Sequence, residues 1–221
     1  MRLFSPVFSG SPVRAGAGLA LILCLSPAGG GTRGESAVSV ATLAAGDLVE
    51  YARQPAPVRR LIDKALALTR RDLGYRFGSN SPENGGMDCS GTINHTLASV
   101  DLRPPRTSYD QYQWARKAGG LNEEPGGFHS FDHPAFKRLR PGDLLFWTGT
   151  YQTDGRDPPI SHVMIYLGTH RGDGRPVIFG ASDGRRFRGK RIAGVSVFDF
   201  PLPGTDSPSK FIAFGPVPGL R

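Results

Sequence analysis

Two residues in this chain have the chemistry and setting of a catalytic pair, Cys89 and His162. Cys89 lies in the run Asp88-Cys89-Ser90-Gly91, just after a Gly/Asn/Ser/Pro-rich stretch from Tyr75 to Met87. Ser90 to Val100 reads as a helix with Asp88 at or near its N-cap. A sulfur at a helix start meets the positive end of the helix dipole and unpaired backbone N–H groups, which stabilise a thiolate. The same N–H groups suit the oxyanion of an acyl-transfer intermediate. A small buried apolar side chain is the other use of such a cysteine, and the thiol by itself leaves both uses open. An activated thiolate would be alkylated well below about pH 8.5, the reference pKa of a free thiol.

A nucleophilic thiolate needs a base that later returns the proton to the leaving amine. Five histidines are available. His95 lies further along the same helix on another face. His129 and His133 fall in a long loop, and His170 in a turn after a strand. His162 opens the apolar run Val163-Met164-Ile165-Tyr166-Leu167, and a strand holds an imidazole still, as a base requires. A lone histidine at a strand end is also commonly no more than a polar terminus.

The second cysteine, Cys24, belongs to a segment with a different logic. Arg2 and Arg14 are its only charges, Ala15 to Leu25 is apolar, and Ser-Pro-Ala-Gly-Gly follows. This reads as a secretory signal peptide over residues 1–28, hence an exported protein, periplasmic or extracellular. Leu21, Ile22 and Leu23 are bulkier than the residues that usually precede a lipid-attachment cysteine, which argues against an anchor at Cys24. Without this segment Cys89 is the sole cysteine, and no internal disulfide can form.

The net charge of +8 falls to +6 without Arg2 and Arg14, a balance suited to anionic envelope polymers or simply to solubility. The densest basic cluster is Arg185, Arg186, Arg188, Lys190 and Arg191, with no nucleic-acid-binding signature around it, so no nucleic-acid partner is expected. Two cysteines exclude a CxxC…CxxC zinc cluster, and Pro134 opposes the helix that His129 and His133 would need to share a metal. No metal or cofactor is expected. No apolar run reaches the roughly 18 residues of a membrane span.

The elements that must hold the pair follow from periodicity. Residues 29–56, small, polar and Pro-punctuated, read as a linker, with a short helix feasible over Leu43 to Arg53, and residues 57–221 as one domain. Val58 to Leu73 carries Leu61, Ile62, Ala65, Leu66 and Leu68 at helical spacing. Ser108 to Ala118 reads as a third helix, ended by Gly119-Gly120. After a long loop over residues 119–141 the period changes to that of strands. Asp143 to Trp147, His162 to Leu167, Pro176 to Phe179, Gly194 to Phe200 and Phe211 to Phe214 are short, β-branched or aromatic, and separated by turn residues. Helices first and strands after predict an α+β fold with an antiparallel sheet.

Four motifs in order carry a family resemblance over roughly residues 58–182. Tyr75 and the Gly loop leading to Asp88-Cys89-Ser90-Gly91 resemble the nucleophile motif of the NlpC-type cell-wall cysteine peptidases. Pro105-Arg106-Thr107-Ser108 resembles the family's post-helix segment. Leu139-Arg140-Pro141-Gly142-Asp143-Leu144 resembles its strand entry, and Ser161-His162-Val163 through Gly168 its base-bearing strand. The resemblance implies a papain-like fold, N-terminal helices packed on a small antiparallel sheet. It implies hydrolysis of amide bonds in peptidoglycan stem peptides, often between D-glutamate and a diamino acid. It implies Cys89 as nucleophile and His162 as general base and acid. Tyr75 would lie near the oxyanion, and Asp88 and Ser90 would help bind the stem peptide, with a plain helix cap the other use of Asp88. Arg106 and Asp143 are expected to hold loops and turns.

One position departs from that pattern. The family places a polar residue, often histidine, on the next strand to orient the base, and the matching stretch Ile178-Phe179-Gly180-Ala181-Ser182 has Gly180 there. Either Ser182 or Asp183 substitutes, or a backbone carbonyl or water serves, or the protein is a weakened member acting as a binding module. The loops Thr148–Pro159 and Thr169–Pro176 look long and are expected to flank the site. Another envelope amide or thioester is the alternative substrate for the same pair.

Overall fold

The computed structural model describes residues 40–221. The expected signal peptide and Cys24 lie outside the described residues. The helical half comes first: α1 (Ala56–Leu68), α2 (Cys89–Ala98) and α3 (Ser108–Ala118). Two two-residue strands, β1 (Gly74–Tyr75) and β2 (Gly86–Met87), pair in parallel within the Gly-rich stretch ahead of α2, where only loop was expected. Then follow β3 (Asn122–Glu123), β4 (Leu144–Thr148), β5 (Ile160–Thr169), β6 (Pro176–Ser182), a small hairpin of β7 (Arg186–Phe187) and β8 (Lys190–Arg191), β9 (Gly194–Asp199) and β10 (Lys210–Gly215).

The main sheet is antiparallel throughout, in the order β3-β10-β4-β5-β6-β9. The α+β expectation therefore holds. Alternation along the strands divides the core into two layers. Val163, Ile165, Leu167, Phe179 and Ala181 face the helices and meet Leu61, Ile62 and Leu66 of α1 and Ile93 and Leu97 of α2. The opposite face carries Leu145, Trp147, Met164, Tyr166, Phe211 and Phe214. The long 119–141 segment crosses this face and covers it with Phe128 and Phe136.

The segment expected as a linker is corrected in its second half. Leu43 and Leu48 are buried in the helix-side core. The backbone around Ala41 bonds to Ser196 and Val197 at the β9 edge. The Glu50 carboxylate accepts from Thr169 N (2.8 Å) and Thr169 Oγ1 (2.7 Å). In place of one short helix the chain makes two 3₁₀ turns, Ala45–Asp47 and Tyr51–Arg53. Two isolated leucines in a polar stretch have no period for a sequence reading to detect, yet they suffice to dock it. The same contacts correct the expected place of the Thr169–Pro176 loop. It sits at the far end of ten-residue β5 from His162, roughly 25 Å away at strand rise, against residues 47–50.

Candidate active site

Cys89 is the first residue of α2 and Asp88 is its N-cap. Parallel pairing sets Tyr75 beside Met87, so the Tyr75 ring reaches the mouth of α2. Gly91 explains the last residue of the Asp-Cys-Ser-Gly run. A Cβ there would stand 2.0 Å from the Ser79 carbonyl oxygen, so only glycine lets the loop close over the helix start.

The Asp88 carboxylate is occupied by protein donors. It accepts from Gly91 N (2.6 Å), Gly78 N (2.8 Å) and Arg106 Nη2 (2.7 Å). Arg106 Nη1 also donates to Ser90 Oγ (3.0 Å), and Ser90 Oγ donates to Asp88 at 3.3 Å. Gln111 Nε2 donates to the Ser90 carbonyl (3.0 Å), which ties α3 to the start of α2. This network clamps the helix turn that carries Cys89 to its loop. Asp143 also sits in a turn, accepting from Arg140 N (2.8 Å) and Arg221 Nη1 (3.0 Å).

The thiol is 5% exposed, and burial with the nearby Asp88 charge pushes its pKa up to about 11. The N–H groups of Val163, Ser90 and Cys89 pull the other way without overcoming burial. The expected resting thiolate is thus corrected. Removing the sulfur from water outweighs the helix N-terminus, and the resting group is the thiol. The Val163 N–H at the sulfur puts Cys89 beside the residue that follows His162.

His162 stands opposite Trp147 in the β4–β5 ladder, and their rings meet edge-on at 5.7 Å. Burial, with the Arg185 charge second, holds the imidazole well below its usual pKa, so it is a neutral base at rest. Its Nε2 is buried with no hydrogen-bond partner among the described residues. Neither Ser182 nor Asp183 fills that role in this geometry. Ser182 Oγ accepts from Gly184 N and Arg185 N (both 3.3 Å), and Asp183 is exposed with its carbonyl bound by Arg191. At Gly180 a Cβ would lie 3.0 Å from Met164 Cγ, so Met164 fills the space where an orienting side chain would sit.

Two cavities meet here. One of about 300 Å³ is lined by Cys89, Asp88, Ser90 and Arg106. A larger one of about 800 Å³ is lined by His162, Trp147, Ser182, Asp183 and Arg185. Tyr75, Phe77 and Tyr151 line both, and the exposed Phe77 and Tyr151 rings meet edge-on at 6.3 Å. The Thr148–Pro159 loop therefore flanks the site through Tyr151 and Arg156, whereas Thr169–Pro176 contributes to neither cavity. Trp147, Phe77, Tyr151 and Arg185 escaped sequence reasoning. The first reads as an ordinary strand aromatic, the next two as loop residues, and Arg185 as one of five clustered cations.

A cysteine at a helix mouth, packed on an antiparallel sheet whose adjoining strand carries the histidine, defines the papain-like class of α+β folds. The model of the NlpC/P60 family matches residues 72–175, just under half of the chain. The bifunctional muramidase/DL-endopeptidase CwlT of Bacillus subtilis is 32% identical over 105 residues, 48% of this chain and 26% of CwlT. This chain thus spans about a quarter of the length of that relative. Among solved structures, an NLP/P60 family protein similar to lipoproteins from Staphylococcus aureus is 24% identical, with 66% of this chain and 37% of that chain covered and a TM-score of 0.41. The peptidoglycan hydrolase RipB of Mycobacterium tuberculosis is 24% identical, with 74% and 69% covered and a TM-score of 0.39.

Proposed function

We propose that this protein is an exported cysteine peptidase that hydrolyses amide bonds in peptidoglycan stem peptides, with Cys89 as nucleophile and His162 as base and acid. The carrying observation is a pair of adjacent cavities that share Tyr75, Phe77 and Tyr151. A buried thiol at a helix mouth opens into one arm and a neutral, strand-held imidazole into the other. The NlpC/P60 family match over residues 72–175 and the DL-endopeptidase naming of CwlT support the substrate class. The bond between D-glutamate and a diamino acid is the one we expect to be cut. Residues 1–28 are read as the signal peptide that exports it. No helix among the described residues is long and apolar enough to cross a membrane.

The chemistry starts from the neutral pair. As the substrate carbonyl reaches Sγ, His162 accepts the thiol proton and the sulfur bonds to the carbonyl carbon. The carbonyl oxygen takes the negative charge beside the N–H groups at the mouth of α2. Tyr75 stands at the same mouth, and burial raises its pKa, so its hydroxyl stays protonated and able to donate. The imidazolium then gives its proton to the departing amine as the C–N bond breaks. Water adds to the thioester carbon as His162 takes one of its protons; the C–S bond then breaks, the imidazolium returns the proton to Sγ, and the new carboxyl group leaves with the acyl product, restoring the neutral pair. Asp88 and Ser90 act from the small arm, where the acyl side of the stem binds, mainly by holding the helix turn.

The orphaned Nε2 of His162 and the filled space beside Gly180 favour a second reading, a catalytically weakened module that binds stem peptides. Mass spectrometry of purified muropeptides incubated with wild type, Cys89→Ala and His162→Ala separates the two. Cleavage by wild type that both variants lose supports the peptidase. Binding without cleavage by wild type supports the module.

A further inference from the structure

We infer that Arg185, laid on the Trp147 ring, is the subsite for a free carboxylate on the leaving-amine side of the scissile bond. This rests on the peptidase reading and names the substrate feature it selects. The Arg185 guanidinium carbon lies 4.3 Å from the centroid of the Trp147 ring, itself 1% exposed. The backbone is pinned on both sides, by Arg185 N to Ser182 Oγ (3.3 Å) and Ile192 N to the Arg185 carbonyl (2.9 Å).

The neighbouring arginines are engaged. Arg188 pairs with Asp173 and Asp199, Arg186 donates to the Gly189 carbonyl, and Arg191 to that of Asp183. The Arg185 guanidinium alone among these four arginines makes neither an ion pair nor a hydrogen bond among the described residues, and it lines the large cavity. Asp183 lines the same cavity without pairing with it. Arg185 is half-buried, and a cation partly withdrawn from water with no protein partner leaves its N–H groups for an anionic ligand. Its surroundings lower its pKa to about 10, still cationic at neutral pH. A guanidinium held flat on an aromatic face leaves its N–H edge free for a two-pronged bond to a carboxylate.

The side follows from the chemistry. His162 must reach the departing nitrogen, and His162 and Arg185 line the same arm, away from Asp88, Ser90 and Arg106. For the bond proposed above, the amine-side residue is a diamino acid, whose free carboxylate is either on its side chain or at the chain terminus. Both sources present the same ligand to Arg185.

The test uses synthetic stem peptides in which each of these two carboxylates is separately free or amidated, with kcat and KM measured for wild type, Arg185→Gln and Arg185→Lys. Wild type is expected to lose at least tenfold in kcat/KM when the recognised carboxylate is amidated, mostly through KM, and the sensitive pair identifies the source. Arg185→Gln should bring that ratio to within about twofold of unity, and Arg185→Lys should restore part of it. A wild type indifferent to both amidations overturns the inference. So does an Arg185→Gln that slows free and amidated peptides equally, because that assigns Arg185 to positioning the pair. If wild type cuts no peptide, the peptidase reading fails separately. Calorimetry of Cys89→Ala with the amine-side product then decides the subsite: binding that Arg185→Gln abolishes upholds it, and no binding overturns it.

Discussion

Gly91→Ala sets helix propensity against local packing at the nucleophile. Alanine in place of glycine inside a helix gains about 1 kcal/mol by propensity. The added Cβ would stand 2.0 Å from the Ser79 carbonyl oxygen and 2.9 Å from Asn80 Cα, both backbone atoms. The loop must therefore retreat by more than 1 Å, roughly the gap to an ordinary contact. That retreat breaks the Asp88 N to Ser79 O hydrogen bond (3.0 Å), costing about 1 kcal/mol. Overpacking against backbone adds about 1–3 kcal/mol. The net expectation is a loss of about 1–3 kcal/mol, or some 2–12 °C in Tm for a domain of this size. Because Asp88 and Cys89 move with the loop, muropeptide cleavage should fall at least tenfold, as a displacement near 1 Å can cost up to about a hundredfold. Urea and calorimetric unfolding measure the first, product release the second. Gly46→Ala, with no atom within 4 Å of its Cβ, is the control and should be neutral or mildly stabilising. A Gly91→Ala variant as stable as wild type would refute the packing argument.

The remaining predictions concern charge and orientation. Because His162 is held well below its usual pKa, the acid limb of kcat/KM should lie below pH 6.5, where an ordinary imidazole would already be charged. An acid limb at or above 6.5 contradicts this. Iodoacetamide labelling of Cys89 should keep accelerating above about pH 8.5, since burial raises the thiol to about 11. A rate that levels off near neutrality would restore the resting thiolate. Asp143, 2% exposed, is raised to about 6 by burial, so its protonated form favours the folded state. That contribution is full below about 4, its unfolded pKa, and is lost as pH rises through about 6. Arg221→Ala removes the cation beside it and should cost about 1–3 kcal/mol at pH 8, discounted for the partial exposure of Arg221, and clearly less at pH 5. Equal losses at both pH values would exclude the carboxylate as the cause. Gly180→Asn alone should destabilise through Met164; combined with Met164→Ala it should exceed Met164→Ala in activity by supplying a partner to the imidazole.

The order of helices before strands and the position of each main element were legible in the sequence. A 3.6-residue apolar stripe and a two-residue alternation are local properties that burial enforces element by element. α3 spans Ser108–Ala118 as periodicity indicates, and Asp88 caps α2 because the cap is a bond to Gly91 three residues on. The local settings of Cys89 and His162 were legible for the same reason, though not their roles, which only the family resemblance suggested. Their settings, helix mouth and strand start, are written in adjacent residues.

Everything that depends on distant segments meeting was decided by the tertiary structure alone. Leu43 and Leu48 dock a stretch that looks like linker, and Phe128 and Phe136 turn a loop into the cover of a sheet face. Met164 fills the space beside Gly180, and Arg185 leaves its charged neighbours to lie on Trp147. The protonation state of Cys89 belongs here too. Helix position alone favours the thiolate, but the pKa follows how completely the surrounding chain excludes water from the sulfur, a quantity that exists only once the chain has folded.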